Sequence, residues 1–222
     1  SSGPSAAVTG RRYVCPPCAN ACDTLSFAAA GTCPGCGMKL VEAGSAAAQP
    51  PRPADVLKVA CLVFDGVEVI DFTGPYEMFG AANCEVYTVA ATKAPVTTAM
   101  GLTVVPRYTF ADAPAPDVLV VPGGSISGAL ASEPTLGYVR EVTAHDRQTL
   151  SVCNGAFILA EAGLLDGLSA TTTNGNIAKL AARYPKVQVV RDRRWVDNGH
   201  IVTAGGLSAG IDGALHVIEK LM

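Results

Sequence analysis

Leu150-Ser-Val-Cys-Asn-Gly-Ala-Phe-Ile-Leu-Ala-Glu-Ala-Gly-Leu-Leu165 decides the fold of this chain. A short apolar run, Leu150 to Val152, leads into Cys153, Asn154 and Gly155. Apolar residues then recur at helical spacing as Phe157, Ile158, Leu159 and Ala162. The pattern predicts strand, sharp turn, helix. It places a thiol where a helix begins, and there unsatisfied N–H groups and the helix dipole favour negative charge. A cysteine so placed is expected to have a lowered pKa and to exist partly as thiolate. The spacing fits a nucleophile elbow, with Cys where serine enzymes carry Ser. Free cysteines are more often small buried hydrophobes. Cys61, inside an apolar run, and Cys84, just before another, are read in that way.

Outward from this stretch, strands and helices alternate. Val59 to Phe64, Val86 to Ala90 and Val118 to Val121 read as apolar strands, the last mostly β-branched. Asp65-Gly66 turns the first of them, and a helix is expected to follow Gly74-Pro75, through Met78 to Ala82. Leu102 to Val105 reads as an edge hairpin strand. Leu136 to Ala144 and Ile177 to Tyr184 read as helices, the second closed by Pro185. Val187 to Val190, Trp195-Val196 and Ile201 to Thr203 are short strands, and Ser208 is expected to cap a last helix through Leu221. This order implies an α/β fold with a parallel sheet covered on both faces. Sites in such sheets form beyond the carboxyl ends of the strands. Three such ends carry chemistry: Asp65 to Asp71, Pro122 to Ser125, and Cys153-Asn154. Gly123 and Gly124 present bare backbone amides, which with the amide of Asn154 could form an oxyanion hole or an anion nest. Gly-Gly after a strand is by itself a turn signal.

The chain has 222 residues, a net charge of −3, a pI of about 5.6 and a mean hydropathy of +0.31. That is enough for one substantial core and an appendage. The weak acidity gives no footprint for nucleic acid. No apolar run reaches the ~18 residues of a membrane span. No signal peptide is visible, and the first residues, Ser1-Ser2-Gly3-Pro4, leave processing and the choice of cytoplasm or periplasm open.

Five of the eight cysteines fall between Cys15 and Cys36. Cys15-Pro-Pro-Cys18 and Cys33-Pro-Gly-Cys36 are two C-x-x-C pairs whose separation suits one tetrahedral ion, zinc or iron, with Cys22 as a possible substitute for Cys18. Two disulfides or a redox C-x-x-C are the alternatives. So short a module would draw its folding energy from the metal. The expected organisation is a flexible tail over 1–12, a metal-binding module over 13–43, an Ala- and Pro-rich linker over 44–55, and the main domain over 56–222. The module resembles heavy-metal-binding, zinc-ribbon-like modules appended to bacterial proteins. Its metal is expected to be structural, because four protein ligands leave no open position.

Five segments of the main domain together resemble the ThiJ/PfpI superfamily. They are Val63-Phe-Asp-Gly-Val-Glu-Val-Ile-Asp-Phe-Thr-Gly-Pro75, Pro122-Gly-Gly124, Ser151 to Leu165, Ala170-Thr-Thr172 and Ala204-Gly-Gly-Leu-Ser-Ala-Gly-Ile-Asp212. The resemblance spans Val56 to Met222 and is nearest to the isonitrile hydratase branch. It implies a flavodoxin-like sandwich of the class I glutamine amidotransferase type, a homodimer, a small-molecule substrate and no cofactor for catalysis. It implies Cys153 as nucleophile, Asp71 as the acid that approaches it, and Gly123 and Gly124 as the oxyanion segment. A carboxyl beside a thiolate should hold a proton, which it could donate to a substrate carbon. Asp71 could otherwise cap a helix entry. The chain departs from the pattern at Asn154, where the hydratases tend to have Thr, and at Thr173-Asn174, where relatives often have His-Trp. Protease-like members of the superfamily have a Cys-His pair, whereas Asn154 directly follows Cys153 here, which argues against a His-assisted peptidase. His216 reads as a packed helix residue, and His145 and His200 as loop residues.

The expected activity is therefore that of a lyase adding water to an isonitrile to give an N-substituted formamide. A glyoxalase-type enzyme acting on small carbonyls, or a non-catalytic metal and redox sensor, are the alternatives. Regulators of the superfamily carry a helix-turn-helix segment beyond the point where this sequence ends, so DNA binding is not expected.

Overall fold

The computed structural model describes residues 12–15, 25–35, 37–43 and 56–222. The chain divides into two compact units, Ser1–Asp55 and Val56–Met222.

In the first unit, β1 (Tyr13–Val14), β2 (Ser26–Phe27) and β3 (Val41–Glu42) form an antiparallel sheet in the order β2-β1-β3. Cys15, Cys33 and Leu40 are buried together, with Tyr13, Phe27 and Met38 packed against them. A tight turn follows Cys33: its carbonyl accepts the Gly37 N–H at 2.8 Å, and Gly37 has φ 76°. Of the cysteines expected to bind metal, Cys18, Cys22 and Cys36 lie outside the described residues. The expected tail and linker lie outside them too, apart from Arg12.

The second unit is built on a seven-stranded sheet. Its strands are β4 (Lys58–Leu62), β5 (Glu85–Ala90), β8 (Tyr108–Thr109), β9 (Val118–Val121), β10 (Gln148–Val152), β13 (Trp195–Asp197) and β14 (Ile201–Ala204). Their order is β13-β14-β10-β9-β4-β5-β8, and every neighbouring pair is parallel except β13–β14. A hairpin of β6 (Val96–Thr97) and β7 (Thr103–Val104), and a pair of β11 (Ser169–Ala170) and β12 (Gln188–Val189), lie outside this sheet.

Strand side chains alternate between faces, and both faces are apolar. Ala60, Leu62, Leu119 and Val121 join one core; Val59, Cys61, Val118 and Val120 join the other. Helices α1 (Val69–Ala81) and α6 (Ser208–Leu221) cover the second core. Helices α2 (Ser127–Leu130), α3 (Glu133–Thr143), α4 (Gly155–Glu161) and α5 (Ile177–Arg183) contribute to the first. This is the flavodoxin-like α/β sandwich expected from the sequence. Cys61 is fully buried inside β4, and that burial pushes its thiol pKa far up.

Two helix starts differ from expectation. Helix α1 begins at Val69 and runs through Gly74-Pro75 rather than after it, with Asp71 in its first turn. The N-cap of α6 is Leu207, whose side chain makes no capping bond, and Ser208 is already the first helical residue.

Candidate active site

The central strands β4, β9, β10 and β14 end side by side, and the loops leaving them hold the chemistry. Strand β10 stops at Val152, and α4 starts at Gly155, so the chain reverses within two residues. Such a turn forces Cys153 to a φ of 60°, a left-handed conformation that costs a non-glycine residue about 1–2 kcal/mol. The Cys153 N–H is shared between the carbonyls of Ala204 and Gly205, each at 3.1 Å. Its carbonyl accepts the Thr172 hydroxyl at 2.8 Å. Gly155 is required by packing: a Cβ there would lie 2.1 Å from the Val121 carbonyl oxygen. The strained elbow is therefore fastened on three sides.

Asp71 is fully buried. Its carboxylate accepts the Gly123 N–H at 3.3 Å through Oδ2 and the Leu207 N–H at 3.2 Å through Oδ1. It is also hydrogen-bonded to the thiol of Cys153. Burial raises the Asp71 pKa above the usual carboxylate value, against those three hydrogen bonds. Burial likewise pushes the Cys153 thiol up to about 12, helped by the neighbouring Asp71 charge. Hydrogen bonds from the Asn154 N–H and the Thr173 hydroxyl pull the other way and are outweighed. The lowered thiol pKa expected from the helix start is thus corrected. Helix α4 has only seven residues, and burial beside a carboxylate dominates. Both groups therefore hold a proton more tightly than usual, and a hydrogen bond joins them.

The Pro122-Gly-Gly124 loop is clamped rather than open. The Asn154 side chain accepts the Gly124 N–H at 2.7 Å and donates to the Gly124 carbonyl at 2.9 Å. With the Gly123 N–H on Asp71, both glycine amides are engaged, and the Asn154 N–H is the one directed at sulfur. Gly124 has φ 127° and lies so close to the β4–α1 loop that a Cβ would meet the Gly66 carbonyl oxygen at 2.2 Å.

The fold thus brings together Cys153, Asp71, Gly123, Gly124 and Asn154 from three strand ends. Sequence reasoning assigned no role to Thr172, Thr173, Gly206 or Leu207, which complete the surroundings. A Cβ on Gly206 would lie 3.3 Å from the Cys153 sulfur. The histidines are occupied elsewhere: His145 bonds the Glu141 carbonyl at 2.9 Å, His200 pairs with Asp146 at 2.6 Å, and His216 pairs with Asp197 at 2.8 Å and stacks on Trp195. Among the described residues, no three His, Cys, Asp or Glu side chains converge as a metal site, and no helix is long and apolar enough to cross a membrane.

The profile of the DJ-1/PfpI family matches residues 57–220. The chain is 39% identical over 171 residues to an isonitrile hydratase of Pseudomonas putida, covering 75% of this chain and 72% of that protein. It is 27% identical over 150 residues to a deglycase of Thermococcus kodakarensis, covering 65% of this chain and 90% of that one. A solved structure of a ThiJ/PfpI family protein from Pseudomonas syringae superposes with a TM-score of 0.68 at 32% identity, covering 78% of this chain and 74% of that one.

Proposed function

This chain belongs to the DJ-1/PfpI family, and from that premise we propose that it is a lyase that adds water to an isonitrile to give an N-substituted formamide. The observation that carries the reading is the buried Asp71 carboxyl hydrogen-bonded to the elbow thiol of Cys153, with every histidine engaged elsewhere. The likeness to a hydratase of that class, at 39% identity, supports it.

The chemistry needs one shared proton. Asp71 takes the proton of the thiol as sulfur attacks the terminal carbon of R–N≡C, then delivers it to that carbon. The product is a thioimidate, R–N=CH–S–Cys153. Water adds across the C=N bond, and the tetrahedral adduct collapses to R–NH–CHO, returning the proton and the sulfur. No standing thiolate is required, so the raised thiol pKa is compatible with this route. The Asn154 N–H and the Thr173 hydroxyl, both directed at sulfur, stabilise charge there while the proton is on Asp71.

Formamide formation from an aryl isonitrile tests the proposal. Cys153→Ala should abolish turnover, and Asp71→Asn should lower kcat by about 10²–10⁴, the usual size of a general acid–base contribution. Full activity in Cys153→Ala would overturn it. Assembly as a homodimer is part of the same proposal, and sedimentation of the intact chain tests it.

For the first unit the proposal is a four-cysteine metal site of Cys15, Cys18, Cys33 and Cys36. The joint burial of Cys15 and Cys33 beside the Gly37 turn supports it. One equivalent of zinc or iron per purified chain, lost on mutating Cys33, is the expected result. A metal-free, folded protein would exclude it.

A further inference from the structure

A cleft of about 330 Å³ opens beside the elbow, lined among others by Thr173, Asp192, Arg193, Arg194, Gly206 and Leu207. Two of its lining residues, Thr173 and Gly206, also border the Cys153 sulfur, so the cleft lies next to the thiol. Its volume is at the small end for ligand pockets and suits a substituent about the size of a phenyl ring.

The backbone around the cleft is strained. Among the described residues, four non-glycine residues have positive φ: Asn83, Cys153, Asp192 and Leu207. Asp192, at φ 56°, and Leu207, at φ 57°, line the cleft, and Cys153 neighbours its lining residues Thr173 and Gly206. Leu207 keeps a side chain there that is 60% exposed, although glycine would adopt that backbone without cost. Outliers of this kind persist where surrounding structure enforces them, and they concentrate at ligand sites.

The charged residues of the cleft, Asp192, Arg193 and Arg194, are consecutive in the chain. Arg194 is committed: its guanidinium pairs with Asp212 and donates to the Ser208 hydroxyl at 3.0 Å. Arg193 is exposed and, among the described residues, makes no ion pair or side-chain hydrogen bond. Asp192 stands next to it without pairing. The same two arginines border a second hollow, but its acid, Asp197, is already held by His216 and Lys220. Arg193 thus brings an unpaired guanidinium, a fork of donors suited to a carboxylate, to the cleft beside the sulfur.

We infer that this cleft receives the side group of the substrate and that Arg193 selects a carboxylate on it, so that the preferred substrate is an anionic, carboxylate-bearing electrophile. The identity of the electrophile as an isonitrile rests on the proposed lyase reading; the preference for negative charge does not.

The test compares alkylation of Cys153 by iodoacetate and by iodoacetamide in the full chain at alkaline pH, followed on the Cys153 peptide by mass spectrometry. In both reactions sulfur loses its proton, forms the S–CH₂ bond and expels iodide, so the rate ratio reports the charge preference of the approach. Arg193→Gln should lower the iodoacetate-to-iodoacetamide ratio about two- to fivefold, the scale of a solvent-exposed charge pair. Arg193→Lys should restore most of it. A ratio unchanged in Arg193→Gln, or a Cys153 inert to both reagents, would overturn the inference. The same preference should then appear in kcat/KM for 4-isocyanobenzoate over its methyl ester. If neither isonitrile yields a formamide while the alkylation ratio still depends on Arg193, the lyase reading falls and the anionic cleft stands.

Discussion

The side chain of Asn154 holds Gly124 by both of its backbone polar groups, accepting its N–H at 2.7 Å and donating to its carbonyl at 2.9 Å. This pairing ties the elbow to the loop that leaves β9, across 30 residues of sequence. Asn154→Ala removes both bonds and leaves two backbone groups of Gly124 to find water. A loss of about 1–3 kcal/mol is expected, read as a lower urea midpoint with an unchanged slope. Activity should fall with it, because the same loop presents the Gly123 N–H to Asp71.

The pH dependence of turnover follows from the shared proton. In the proposed mechanism the competent form carries one proton on the Asp71–Cys153 pair. A second proton, gained as pH falls through the raised pKa of Asp71, removes the base; loss of the first, toward the thiol value of about 12, removes the acid. The acid limb of kcat/KM should therefore lie above the ordinary Asp value of about 3.9. An acid limb at or below that value would show that Asp71 is not the group that titrates.

Stability should carry the same signature with a definite sign. The folded-state pKa of Asp71 is raised, so between its unfolded and folded values the folded chain binds more protons than the unfolded one. Stability then declines as pH rises through that window. Buried Asp146 is shifted in the same direction and adds to the slope. Asp71→Asn should flatten the slope without abolishing it, and denaturant midpoints measured across that range check this.

The conformation of Cys153 predicts an inverted preference for glycine. At ordinary positions glycine is less stable than alanine, but at φ 60° the alanine Cβ is the penalised group. Cys153→Gly should therefore be more stable than Cys153→Ala by about 1 kcal/mol, while both lack activity. Thermal unfolding of the two variants side by side makes the comparison. The opposite order would mean that the elbow is not strained.

The sheet was legible because its strands are short and separated by helical spacing, and because runs such as Val118–Val121 are apolar on both faces. The start of α1 was not. Gly74-Pro75 reads as a break, since Pro75 cannot donate to the carbonyl of Asp71. Packing overrides it: Gly74 faces α6 so closely that a Cβ would meet Ile211 at 2.9 Å, and the Thr73 hydroxyl bonds the Val69 carbonyl at 2.7 Å. The approach of Asp71 to Cys153 was implied only by resemblance, because nothing local in the sequence records a contact between two strand ends. Thr173, Leu207 and Arg193 were missed for a related reason. Their importance lies in a hydrogen bond to sulfur, a strained φ and a missing partner, none of which is a property of residue type. The thiol pKa was misjudged because helix position is visible in a sequence and burial beside a particular carboxylate is not.

The contacts that hold Asp71 join segments remote along the chain: its bond to Gly123 spans 52 residues and its bond to Leu207 spans 136. Long-range closures of this kind are among the slow events of folding, since loop entropy is lost before the contact is gained. Strand β14 and the start of α6 must dock before the carboxyl is fully held. During refolding, the reactivity of Cys153 toward an alkylating probe should remain that of an open thiol until this last docking and then fall. The elbow cysteine thus serves as a clock for the completion of the sheet.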